Sequence, residues 1–204
     1  MAAIDLYLDP VCPFGWVAAQ WLLDAAHEHR TSVTLRQMSL AVLNDGNDVD
    51  AHHRPMIDRS RRLGRLFAAV TAQHGPDGFA RLYRAFGASA HDQREQVTLA
   101  AIADMLQSLG MDRSLAATLD ASELDQAVAR AHEVSQQVLG GRGGSPIIAI
   151  DGHGFFGPVL TRIPDAEKGA ALLDALIAAA GTPEFAALQR PYSGPPTTER
   201  EQGT

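Results

Sequence analysis

A single cysteine stands in the 204-residue chain, in the run Cys12-Pro13-Phe14-Gly15-Trp16. Thiol chemistry needs a sulfur that can ionise, and the surroundings of Cys12 suit that. The alternating segment Ala3 to Leu8 predicts a strand ending at Asp9-Pro10, and Trp16, Val17, Trp21, Leu22 and Ala25 recur at helical spacing as far as about His29. Cys12 then falls at the start of a helix, where unpaired backbone N–H groups and the positive end of the helix dipole favour a thiolate. The expectation is a thiol with a depressed pKa, acting as the attacking group in thiol exchange. Pro13 belongs in the first helical turn, where its missing N–H costs no hydrogen bond. With no second cysteine, Cys12 has no partner for an internal disulfide.

Far along the chain a proline opens a second strand region. Gly144-Ser145-Pro146-Ile147 leads into a short apolar strand, Pro146 to Ile150, followed by an Asp151-Gly152 turn and a second strand around Gly154 to Phe156, the pattern of a hairpin. Phe155 and Phe156 alternate, so one faces the core and the other a groove. The run Gly140-Gly141-Arg142-Gly143-Gly144 has glycines without the Lys-Ser/Thr of a phosphate loop and is better taken as a flexible helix end, from which Arg142 can reach a carboxylate. The histidine pairs His52-His53 and His27 with His29 do not share a helix face, so no metal site is expected.

The elements that must position these residues follow from periodicity. Val33 to Met38 predicts a second strand, parallel to the first as in a βαβ unit. From residue 55 to 139 only helical patterns occur, punctuated by Gly75-Pro76, Gly87 and Gly110. Leu99, Ile102, Ala103, Leu106 and Leu109 form one stripe, and Leu124, Val128, Ala131 and Val138 form another behind a capping box of Ser122 with Asp125. Ile163-Pro164-Asp165 opens a last helix with Leu172, Leu173, Leu176 and Ile177 inward, ending at Gly181. The expected order is β-α-β, a helical block, then β-β-α. Residues 1–54 and 140–191 form one discontinuous domain, 55–139 an all-helical insertion, and 192–204 a Pro, Gly, Ser and Thr rich flexible tail.

Composition narrows the functional classes. Hydrophobic residues make up 46% and charged residues 20%, the balance of a globular protein. A net charge of −7 and a pI near 5.5 argue against a nucleic-acid partner, and the basic run Arg59, Arg61, Arg62, Arg65 spreads around a helix as a solvated face. Neither a signal peptide nor an apolar run of membrane-spanning length is visible, so a cytoplasmic location and no membrane partner are expected.

Several of these residues carry a family resemblance. Asp9-Pro10-Val11-Cys12-Pro13, Trp16, Met38-Ser39-Leu40-Ala41-Val42-Leu43-Asn44, Ser145-Pro146 and Phe155-Phe156-Gly157-Pro158-Val159-Leu160 before Ile163-Pro164 together resemble the DsbA-like branch of the thioredoxin superfamily, and especially the actinobacterial mycothiol-dependent nitroreductase group. The resemblance implies an α/β thioredoxin fold, a cis Pro146 beside the active cysteine, Cys12 as nucleophile, and a low-molecular-weight thiol such as mycothiol or glutathione as co-substrate. No flavin or nicotinamide motif is visible in the sequence, so neither cofactor is expected. Pro13, Phe14, Gly15, Trp16, Ser145, Pro146 and Phe156 would bind substrate or thiol, Arg65 and His91 are further candidates overhanging the cleft, and Arg142 is a candidate for a carboxylate on a bound thiol. Where the family motif is Cys-Pro-Trp-Cys, this chain has Phe14 and Gly15, which removes the resolving cysteine. A monothiol cycle on a nitro compound, other small electrophile or mixed disulfide is the leading expectation. The alternatives are a kappa-type thiol transferase or isomerase without net redox change, and a non-catalytic thioredoxin-fold binding module. A homodimer is left open.

Overall fold

The computed structural model describes residues 2–94 and 98–198. Four strands make one sheet in the order β2-β1-β3-β4, with β1 Ile4–Leu8 and β2 Val33–Gln37 parallel, and β3 Ile147–Ile150 and β4 His153–Phe156 antiparallel to their neighbours. Tyr7 pairs with Ile147 and Leu6 with Ile148, so the register brings the end of β1, which leads to Cys12, beside the start of β3, which follows Pro146. Both faces of β1 are covered. Ile4, Leu6 and Leu8 enter the main core, while Tyr7 packs with Met38, Ile147 and Ala149 in a smaller one.

Helix α1, Pro13–Glu28, buries Trp16, Val17, Ala18, Ala19, Trp21, Leu22, Ala25 and Ala26. That is more of its circumference than an amphipathic stripe requires, because the sheet, the last helix α6 (Ala166–Ala180) and the helices between β2 and β3 all pack on it. Trp21 is fastened to α6 by its indole N–H donating to the Gly169 carbonyl at 3.0 Å. This is the thioredoxin arrangement with added helices between its two halves.

Those helices are α2 Leu40–Leu43, α3 Arg54–Gly87, α4 Leu99–Ser108 and α5 Asp125–Leu139, with a π-helical turn Ala88–Asp92 and 3₁₀ turns Arg113–Asp120 and Ser122–Leu124. The breaks expected from the sequence resolve differently. Gly75 does interrupt α3, with φ +66, and Gly110, φ +68, ends α4. Gly87 is the last residue of α3 but does not break the chain's helical course, since its backbone stays helical at φ −63, ψ −40 and leads directly into the π turn. A Cβ there would lie 2.3 Å from the Trp16 ring, so this glycine permits a close approach. Ser122 gives no side-chain cap to α5, whereas Thr98, Asp112 and Asp165 cap their own segments. Leu99, counted in the buried stripe of α4, is 55% exposed at that helix's first position.

Candidate active site

Cys12 is the N-cap of α1, with extended backbone and its sulfur turned back onto the helix it opens. Sγ accepts the Gly15 N–H at 3.3 Å, and the thiol donates to the Ser145 carbonyl at 3.3 Å. The Ser145–Pro146 bond is cis, as is Gly157–Pro158. The side chain is nearly enclosed, at 6% exposure. Burial pushes the thiol up from its ordinary value, against the pull of the Gly15 N–H, the Ser145 hydroxyl and the Phe14 N–H, while the nearby Asp9 charge adds to the rise. The helix N-terminus alone predicts a thiol below its ordinary value. In the closed site desolvation outweighs that pull, and Cys12 rests as a thiol.

Asp9 is a second buried ionisable group here, 1% exposed. Its Oδ1 accepts the Val11 N–H at 2.9 Å, and its Oδ2 meets the Leu40 N–H at 2.6 Å and the Ser60 hydroxyl at 2.5 Å. One carboxylate thus joins the active-site turn, the start of α2 and α3. Burial raises its pKa, with Ser60, Leu40 and Val11 lowering it.

The π turn brings a third group of residues to the site, a common setting for such turns. Trp16 Nε1 donates to Asp92 Oδ1 at 2.7 Å, the Trp16 and His91 rings stack at 6.2 Å, and His91 Nε2 lies 2.9 Å from the Pro10 carbonyl. A carbonyl only accepts, so Nε2 carries the ring proton in that contact. Burial lowers the His91 pKa, opposed by the Pro10 carbonyl and Asp92, which keeps the imidazole neutral. Tyr83 packs against Trp16 at 5.8 Å. Its buried hydroxyl has no hydrogen-bond partner among the described residues, and its pKa is raised by burial and then by Cys12 and Asp9.

On the far side, Gly157 N–H donates to the Pro146 carbonyl at 2.9 Å and holds β4 against the proline. Phe156 is 57% exposed and Phe155 packs against the main core, the division expected from their alternation. Cβ atoms built on Gly143 and Gly144 would touch Phe156 at 3.6 and 3.8 Å, and Gly144 also adjoins Leu40 and Leu43. Arg142 donates to the Leu43 carbonyl and therefore lies along this apolar rim.

The structure thus gathers Cys12, Pro13, Phe14, Gly15, Trp16, His91, Ser145 and Pro146, with Phe156 and Arg142 at the edge. Arg65 is not among them. Its guanidinium is taken up by Asp125 at 2.7 and 2.9 Å and by the Leu119 carbonyl, a tie between α3 and the start of α5. Sequence reasoning missed Asp9, Ser60, Tyr83 and Asp92 as members of the site. Only Asp9 carried a signal, an acidic residue inside an otherwise apolar strand end. Among the described residues no group of His, Cys, Asp and Glu could hold a metal ion, and no helix is long and apolar enough to cross a membrane.

The chain beyond α6 returns to the site. Tyr192 meets Phe14 edge-on at 5.4 Å, Thr197 N–H donates to the Thr161 carbonyl at 2.9 Å, and Pro196, Thr197 and Thr198 line a pocket of about 220 Å³ with Pro13, Val17, His91 and Arg94. Of the expected tail, residues 199–204 lie outside the described residues. Tyr192→Ala is expected to speed alkylation of Cys12 by iodoacetamide severalfold with little change in melting temperature, because it uncovers Phe14 without opening the core. An unchanged rate would show that this contact does not limit access to the sulfur.

The fold is the DsbA-like thioredoxin fold, and its candidate site is built around a single cysteine. Residues 11–190 match the family model described as Rv2466c-like, mycothiol-dependent nitroreductase Rv2466c, and the chain belongs to that family. An uncharacterised Mycobacterium tuberculosis protein, Rv2286c, is 27% identical over 198 residues, covering 95% of this chain and 84% of that protein. Among solved structures, the probable DsbA oxidoreductase SCO1869 from Streptomyces coelicolor is similar with a TM-score of 0.59 and 17% identity, over 93% of this chain and 94% of that one. The cytosolic disulfide reductase DsbM from Pseudomonas aeruginosa, solved with GSH, has a TM-score of 0.56 and 13% identity, over 86% of this chain and 99% of that one.

Proposed function

We propose that this chain is a monothiol oxidoreductase that works with mycothiol in the cytoplasm and reduces mixed disulfides or small electrophiles such as nitro compounds. The observation that carries this reading is at the second motif position. Gly15 presents a backbone N–H, not a thiol, 3.3 Å from the Cys12 sulfur. An oxidised Cys12 therefore has no internal thiol to release it, and an external one must do so. For a mixed disulfide of mycothiol, Cys12 attacks the mycothiol sulfur and the other thiol departs, taking up the Cys12 proton. A second mycothiol then attacks the sulfur bound to Cys12. Cys12 is released as the thiol and oxidised mycothiol leaves. The net change is one mixed disulfide and one thiol converted into one free thiol and one symmetrical disulfide.

The surroundings support such a cycle. The Gly15 and Phe14 N–H groups and the Ser145 hydroxyl stabilise the sulfur when it ionises, and the rim of Leu40, Leu43, Gly144, Phe156 and Arg142 beside Pro146 offers an apolar face with a cation for the thiol's body. The family membership and the glutathione-bound relative support a low-molecular-weight thiol as co-substrate.

Intact-protein mass spectrometry of the reduced protein mixed with oxidised mycothiol tests the reading. One adduct per chain is expected, absent in Cys12→Ser and removed by added reduced mycothiol. Thiol-dependent turnover in Cys12→Ser is expected to fall to background. Absence of an adduct while the thiol still binds would overturn the cycle. Consumption of one thiol without its disulfide would then point to a transferase, and no turnover at all to a binding module.

A further inference from the structure

Ser145 contributes more than the carbonyl that meets Cys12. Its side chain is buried, at 8% exposure, and Oγ accepts the Asp9 N–H at 3.1 Å. That contact fills a lone pair and leaves the hydroxyl proton available beside Cys12, whose thiol donates to the same residue's carbonyl at 3.3 Å and whose pKa the hydroxyl lowers. Gly15 explains how it fits. A Cβ built on Gly15 would stand 3.5 Å from Cys12 Cβ, within the span of about 3.5–4.5 Å across a disulfide. That is where a second motif thiol would begin. The same Cβ would lie 2.9 Å from Ser145 Oγ and 3.2 Å from Leu8 Cδ2, closer than real Cβ atoms approach the first of these.

We propose that the Ser145 hydroxyl stands in for the missing second thiol as a positioning residue, occupying its space and donating a hydrogen bond to the Cys12 sulfur as that sulfur is expelled from a mixed disulfide. This rests on the monothiol reading above. In the releasing step the external thiolate forms a bond to the outer sulfur, the bond between that sulfur and Cys12 breaks, and the electron pair goes to Cys12. Ser145 steadies the resulting thiolate without giving up its proton. An alcohol cannot form a disulfide, so the arrangement keeps the second thiol's electrostatic part and discards its redox part.

The test compares wild type, Ser145→Ala and Gly15→Ala, the last because its new methyl group displaces the hydroxyl while leaving Ser145 in the chain. The rate of Cys12 alkylation by iodoacetamide is followed against pH, and release of a preformed mycothiol adduct is timed by mass spectrometry. Loss of a hydrogen bond to a charged group predicts a profile moved to higher pH, with alkylation below its midpoint and adduct release each slowed about tenfold in Ser145→Ala, and in the same direction in Gly15→Ala. A merely structural role would lower the melting temperature and leave the midpoint in place. If Ser145→Ala does not fold, Gly15→Ala decides alone, and an unmoved midpoint there overturns the proposal. A wild-type chain that forms no adduct would defeat the monothiol reading instead. An adduct that forms and is released at the wild-type rate in both variants would defeat the Ser145 role only.

Discussion

Replacing Asp9 by asparagine is expected to change the pH dependence of stability and to bring Cys12 alkylation to lower pH. Burial raises the Asp9 pKa above its ordinary value of 3.8, with the hydrogen bonds from Ser60, Leu40 and Val11 opposing the rise. For a carboxylic acid this shift means that the native chain holds the proton more tightly than the unfolded one. Between the unfolded value and the raised native value, the native state carries more protons, so stability falls as pH rises through that window. Asp9→Asn removes this slope, which denaturant unfolding at a series of pH values from about 4 upward measures directly. The substituted amide can still accept through its oxygen, and the structure tolerates this change better than Asp9→Leu. Leucine leaves the Val11 and Leu40 N–H groups and the Ser60 hydroxyl without their shared acceptor, at about 1–3 kcal/mol for each buried group so abandoned. The Asp9 charge also raises the Cys12 pKa, behind the larger effect of burial, so its removal makes the thiolate easier to form. A variant with the wild-type slope and the wild-type alkylation midpoint would mean that Asp9 is protonated throughout and acts by shape alone.

Gly87→Ala is the second change with a large expected effect. Its methyl would be 2.3 Å from both Cε3 and Cζ3 of Trp16. That ring cannot simply swing away, because its indole N–H is held by Asp92 and its faces are packed by His91 and Tyr83. Either Trp16 leaves its place or α3 shifts, and overpacking of this kind costs about 1–3 kcal/mol, occasionally more. A lowered melting temperature is expected together with a faster reaction of Cys12, since Trp16 lies in the first turns of the helix that Cys12 caps. Full stability in Gly87→Ala would show that the two segments separate readily.

How far the site can be seen in the sequence follows from how local each feature is. Cys12 at the start of α1, the order of strands and helices, and the division of Phe155 from Phe156 depend on neighbours along the chain, and periodicity exposes them. The pairing of Cys12 with Ser145 is visible only through the family resemblance, because 133 residues separate them. Asp9 reads as a polar interruption, since an acidic side chain is exposed by default unless a partner is known, and its partner Ser60 is 51 residues on. Gly87 has the same appearance whether it ends a helix or makes room for a ring arriving from residue 16. Arg65 misleads for the converse reason, as nothing in its local spacing reveals that Asp125 claims it.

Trp16 and Trp21 are the two tryptophans of the chain, and their settings differ in a way an optical experiment can use. Trp21 is sealed in the core with its N–H on a backbone carbonyl, so its emission serves as a constant background while the chain stays folded. Trp16 stacks on His91 and shares a helix turn with the residues behind Cys12, where sulfur chemistry and protonation of the imidazole both alter its excited state. The native protein therefore carries its own chromophore beside Cys12, and stopped-flow fluorescence can test for formation and release of the proposed Cys12 adduct without any label.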